Sequence, residues 1–89
     1  MKAFITVIGH DTVGVVAKVA GLCTELNINI EDVTQSILQG MFAMIMLVDM
    51  TNMSVDFNIL KAALEEVGET IGMSIRIQHE DLFNAMHTI

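Results

Sequence analysis

The chain is short of the groups on which most protein chemistry depends. It has one cysteine, Cys23, so an intramolecular disulfide is excluded and a reducing compartment suits it. Only Lys2, Lys18, Lys61 and Arg76 are basic, against eleven acids, for a net charge of −7. Four scattered cations cannot line a groove that neutralises several phosphates, so nucleic acid is not an expected partner. The acidity serves solubility. No long hydrophobic run exists either. The longest uncharged apolar stretch, Met41 to Val48, falls far short of the roughly 20 residues a membrane helix needs. Gly9, His10 and Asp11 interrupt the apolar N-terminal stretch before a signal-peptide core could form. A soluble, cytoplasmic protein without membrane contact is expected.

Catalytic groupings are missing as well. His10, His79, His87 and Cys23 lack the spacing of metal ligands. Glu31 and Asp32 are neighbours on a predicted strand and point to opposite faces. Glu65, Glu66 and Glu69 form the solvated side of a predicted helix. No Ser-His-Asp or phosphate-loop pattern occurs. Cys23 lies on an apolar helix face, as a small buried hydrophobe rather than a nucleophile, and His79 and His87 are expected at the surface. An enzyme, a metal and a cofactor are therefore not expected.

What is present is aliphatic. Hydrophobic residues make up 53% of 89 positions and mean hydropathy is +0.60, with aromatics at only 4%. So short a chain forms one domain, 1–89, and buries only about 60–65% of its unfolded surface. Some apolar surface is thus expected to be covered by a second copy of the chain.

The elements follow in order. Ala3–Ile8 is apolar on both faces, as in a central strand, and Gly9 to Thr12 breaks it. Val15, Val16, Val19, Leu22, Cys23 and Leu26 recur at helical spacing over about 13–26. Ile30–Leu38 is a more polar edge strand, and Gln39-Gly40 turns it into an antiparallel return. Met41–Met50 is again apolar on both faces. Ser54 is the expected N-cap of a second helix, with Asp56 in its first turn. Phe57, Leu60, Leu64, Val67 and Ile71 trace that helix's buried face, and Gly72 closes it. Gly68 inside it implies a close packing contact. Met73 to Gln78 alternates as a half-exposed strand, and Glu80 to Met86 is a short terminal helix with Leu82, Phe83 and Met86 on one side.

The order βαββαβ gives an α+β, ferredoxin-like sandwich. It has a four-stranded antiparallel sheet, two helices on one face and a short C-terminal helix. Its central strands are the first and third, the two that are apolar on both faces. Helices cover only one face, so a partner subunit, aided by Leu82, Phe83 and Met86, is expected over the other.

One loop invites a ligand. Gly9 to Gly14, GHDTVG, leads into the first helix, whose N-terminus offers backbone N–H groups and a positive dipole end to an anion. Gly14 permits close approach, and Asp11 suits an ammonium. Together they fit a zwitterion such as an amino acid. The simpler reading of the local chemistry, and the one it favours, is that Asp11 caps the helix and Gly14 fits the turn.

The same residues carry a resemblance. TVIGHDTVGVVAKVAGLCTELNINIEDVTQ, from Thr6, resembles the ACT domain, a regulatory module of amino-acid metabolism. Its marks are D-x-x-G at Asp11 to Gly14 and N-I-x-x-V-x-Q at Asn29 to Gln35. The ending IRIQHEDLFNAMH, Ile75 to His87, is similar to small stand-alone ACT proteins related to the glycine-cleavage repressor and to the N-terminal regions of formyltetrahydrofolate deformylases. Val13 stands where many ligand-binding members carry proline. The resemblance implies a regulatory domain binding an amino acid at a homodimer interface, through Gly9, Asp11, Gly14 and Asn29. The alternative is a ligand-free module that docks onto a partner protein.

Overall fold

A computed structural model describes residues 1–10 and 13–81. The elements are β1 (Lys2–His10), α1 (Val15–Glu25), β2 (Asn29–Leu38), β3 (Met41–Asp49), α2 (Phe57–Ile71) and β4 (Met73–His79). The strands form one sheet in the order β2-β3-β1-β4, every neighbouring pair antiparallel. This is the ferredoxin-like arrangement, with the two doubly apolar strands in the centre.

The helix-side face of the sheet is the core. Ala3, Ile5 and Val7 of β1, Phe42, Met44, Met46 and Val48 of β3, and Met73, Ile75 and Ile77 of β4 are buried there. Val15, Val19 and Cys23 of α1 and Leu60 and Leu64 of α2 close over them. Their spacing of four residues, about one helical turn, is the reason these segments are helical against a flat surface. No side-chain N or O atom among the described residues is buried without a hydrogen bond. Gln39 and Gly40 both have positive φ, 52° and 80°, the backbone of a two-residue hairpin between twisted strands. Gly68 shows why it is not alanine: an added Cβ would lie 2.6 Å from the Met73 carbonyl oxygen.

Several boundaries differ from the sequence expectation. β1 continues through Gly9 and His10, because Phe42, Met41 and Met73 stand opposite to pair with them. A Cβ on Gly9 would sit 2.9 Å from Met73 Cγ, so glycine here serves close packing of neighbouring strands rather than a break. α1 begins only at Val15, and Val16 is exposed rather than part of the buried stripe. α2 is capped at Asp56 and not at Ser54. Ser54 is occupied elsewhere: its amide and its hydroxyl both donate to the Leu26 carbonyl, at 3.0 and 3.2 Å. The terminal helix expected over Glu80 to Met86 is helical at Glu80 and Asp81, and the rest of it lies outside the described residues. His79 is half-buried, its ring stacked on Phe57 at 4.5 Å between centroids. No helix among the described residues is long and apolar enough to cross a membrane.

Candidate functional site

Gly9 is the second-last residue of β1 and lies beside Phe42 and Met73. Five residues on, Gly14 takes φ 85° and caps α1, its carbonyl accepting the first helical hydrogen bond from the Lys18 amide at 2.9 Å. That left-handed backbone favours glycine, and among the described residues nothing lies within 4 Å of where a Cβ would be. Asp11, the acid expected between these glycines, lies outside the described residues. The surroundings are apolar and exposed: Val13 is 97% accessible, Leu38 72% and Ile37 57%.

Asn29 stands somewhere else. It opens β2 opposite Asp49, which in turn pairs with Lys2. Gly9 is seven residues along β1 from Lys2, about 23 Å at strand rise. One copy of the chain therefore puts the loop glycines at one end of the sheet and Asn29 at the other.

The Asn29 end is polar. A cavity of about 260 Å³ is lined there by Asn27, Asn29, Asp49, Thr51 and Asn52, among others. Asn27, at φ 61°, donates from Nδ2 to the Asn52 carbonyl at 2.8 Å. Asp49 Oδ1 accepts from the Thr51 amide at 2.9 Å and from its hydroxyl at 2.5 Å. These bonds stabilise the charged carboxylate and hold its pKa below the ordinary value, the hydroxyl contributing most. Beside it, the β2 ladder shifts register between Ile30 and Asp32. Within that irregularity Glu31 accepts from Lys2 Nζ at 2.8 Å. That hydrogen bond raises the Lys2 pKa.

Sequence reasoning found Asn29 but missed Asn27, Asp49, Thr51 and Asn52. The available signal was DMTN, a polar turn closing an apolar strand. Two larger grooves are lined by none of Gly9, Gly14 and Asn29, although the first reaches Met73, the β4 neighbour of Gly9. One of about 570 Å³ runs along β4 and α2 by Lys61, Glu65 and Arg76, and one of about 490 Å³ lies between α1 and α2 by Ala17, Gly21 and Ala63. Among the described residues no group of three or more His, Cys, Asp or Glu side chains is placed to hold a metal. Cys23 is fully buried and burial pushes its thiol pKa up, away from the thiolate a nucleophile needs.

Comparison with known proteins places this geometry in context. Residues 2–78 match the model of the ACT domain. A UPF0237 protein from Methanocaldococcus jannaschii is 47% identical over 88 residues, which is 99% of this chain and 98% of that one. Among solved structures, an ACT domain protein from Streptococcus pneumoniae is 40% identical, covers 93% of both chains and superposes with a TM-score of 0.81. A putative glycine cleavage system transcriptional repressor shares the fold at 21% identity and a TM-score of 0.76, over 86% of this chain and 44% of its own.

Proposed function

The chain belongs to the ACT-domain family, and from that premise we propose that it is a regulatory module binding an amino acid, or a similar small zwitterion, between two copies of itself. It acts by binding and not by catalysis, in a reducing cytoplasm. The observation that supports this is the separation of Gly9 and Gly14 from Asn29 across the sheet. A two-fold axis beside β2 removes that separation. Two β2 strands running antiparallel across such an axis set the Asn29 end of one against the Leu38 end of the other. Leu38 pairs with Met41, and Met41 with His10, so the Leu38 end is the loop end.

β2 suits such pairing. It is an open edge, exposed at every residue except Ile30. From Val33 to Leu38 it carries no charge and no proline to discourage a second strand. In the assembled site the amides opening α1 receive the ligand carboxylate and Asp11 receives its ammonium. Asn29 of the other copy both donates to and accepts from the ligand. Regulation then follows if the ligand prefers one of two dimer geometries, since only differential affinity moves an equilibrium.

A thermal-shift screen of the twenty amino acids, followed by calorimetry, tests this. A ligand at a hundredfold excess over its Kd stabilises by about 2.7 kcal/mol, which moves the melting temperature of so small a domain by several degrees or more. A screen in which no amino acid moves it at millimolar concentration removes the proposal. The exposure of Val13, Ile37 and Leu38 supports a second reading, a ligand-free module docking onto a partner protein. Capture of one defined protein that survives Asp11→Ala and Asn29→Ala but is lost with Phe83→Ala favours it.

A further inference from the structure

The sheet has two edges, β2 and β4, and β4 is the more regular. Its seven residues pair with β1 without a shift in register, whereas β2 carries one between Ile30 and Asp32. β4 has a single neighbouring strand, so one side of its backbone presents N–H and C=O groups that no strand takes. No proline blocks it, and Arg76 is its one charge apart from its histidine.

The groove of about 570 Å³ follows this edge and is lined by every residue from 73 to 78. Met73, Ile75 and Ile77 are buried under the helices, while Ser74 and Arg76 are exposed on the opposite face. Strand side chains alternate between faces, so a groove that meets six residues in a row meets the backbone edge they share. Its other wall is α2, through Lys61, Leu64, Glu65 and Glu69. The three charged residues recur every four positions, about one per turn, as an exposed stripe alongside the strand.

The stripe has a direction. Gly68 lies against Met73 and Ile75, and Phe57 stacks on His79, so α2 and β4 run oppositely. Glu69 and Glu65 therefore stand toward Met73 and Ile75, and Lys61 toward Ile77. Among the described residues none of Lys61, Glu65, Glu69 and Arg76 is in an ion pair. The groove thus offers an open strand edge, two carboxylates on the helix side and a guanidinium on the other.

We propose that the β4 edge is a docking site for an extended segment of another protein, which joins the sheet as a fifth strand. The segment carries basic residues opposite Met73 and Ile75, where they meet Glu69 and Glu65, and an acidic residue opposite Arg76. A second β4 does not meet this pattern. Paired about Arg76 it sets that guanidinium against its own counterpart, and paired about Ile75 it brings Glu65 toward Glu65. Neither Gly9, Gly14 nor Asn29 lines the groove, so the docking needs no amino-acid ligand.

Random peptides displayed on phage and selected on the full chain test this. Enriched sequences are expected to carry two basic residues one position apart, flanked by an acid. Adding such a peptide to labelled chain should shift the amides of 73–78 and 61–69 and leave β2 unmoved. N-methylation at alternate peptide positions should abolish binding in one set and spare it in the other, because only one set of amides faces β4. The double variant Glu65→Lys with Glu69→Lys should weaken binding about fivefold or more. Glu66→Lys, which lies on the other groove, should leave it unchanged. Failure to enrich any peptide overturns the proposal, as do shifts confined to β2 or binding indifferent to N-methylation. Equal loss in Glu66→Lys and the double variant also overturns it, since the charges facing the groove would then have no special part.

Discussion

The two ends of the sheet differ in nearly every physical respect. At the loop end, glycines hold the backbone in arrangements other residues resist, and aliphatic side chains from β2, β3 and the start of α1 stand in water. At the Asn29 end, turns are tied by side-chain hydrogen bonds, and charges are paired at Lys2–Glu31 and at Asp49. The first end has shape and exposed apolar area but, among its described residues, little to confer polar specificity. The second has polar specificity, with Met1 its exposed large apolar side chain among the described residues. The proposed assembly of two copies, end against end, would bring these complementary halves together.

Four substitutions break or sharpen that contrast. Gly68→Val is expected to have the largest effect, because its side chain meets the Met73 carbonyl beside the loop end and backbone must move. Overpacking of this kind costs about 1–3 kcal/mol or more, visible as a lower urea midpoint. Gly14→Val comes next. Its φ of 85° imposes a left-handed penalty of about 1–2 kcal/mol, and amino-acid binding measured by calorimetry should fall with it. Ile37→Lys is expected to leave unfolding free energy within about 0.5 kcal/mol, as at most exposed positions. It places a charge on the open β2 edge and should shift the mass measured by light scattering toward one copy.

Asp49→Asn is expected to have the smallest effect, and its signature is a pH dependence. The folded pKa of Asp49 lies below the ordinary carboxylate value of 3.8. The folded chain therefore binds this proton less readily than the unfolded one. The stabilisation is present above that ordinary value and disappears as pH falls through the lower, folded one. Melting temperatures of the two proteins should differ near pH 6 and converge in acid. A constant difference across that range would mean that the Asp49 charge has no part in the turn with Thr51.

Much of the fold could be read locally. Helical spacing in Val15, Val19 and Cys23 and in Leu60 and Leu64 marks the faces that are buried. The edge position of β2 follows from its polarity, and the hairpin follows from Gln39-Gly40. Readings failed where a distant partner decides the outcome. Ser54 has the chemistry of an N-cap, but the Leu26 carbonyl claims it. Gly9 has the composition of a break, yet it pairs on both sides as strand. Of the candidate site, the glycine loop and Asn29 were legible as residue types suited to a zwitterion. The polar cluster of Asn27, Asp49, Thr51 and Asn52 was not, because its members come from two separate turns.

The sequence by itself determined the order of elements, the central place of β1 and β3 and the aliphatic core. Those depend on periodicity within a few residues, and burial rewards them wherever the segment ends up. Tertiary structure alone decided that Asn29 and the loop glycines lie at opposite ends of the sheet. β1 and β2 each run antiparallel to β3 and so parallel to one another, which sets the end of β1 and the start of β2 at opposite ends of the sheet. Fourteen residues lie between Gly14 and Asn29, and α1 together with the turn that follows it carries the chain from one end of the sheet to the other.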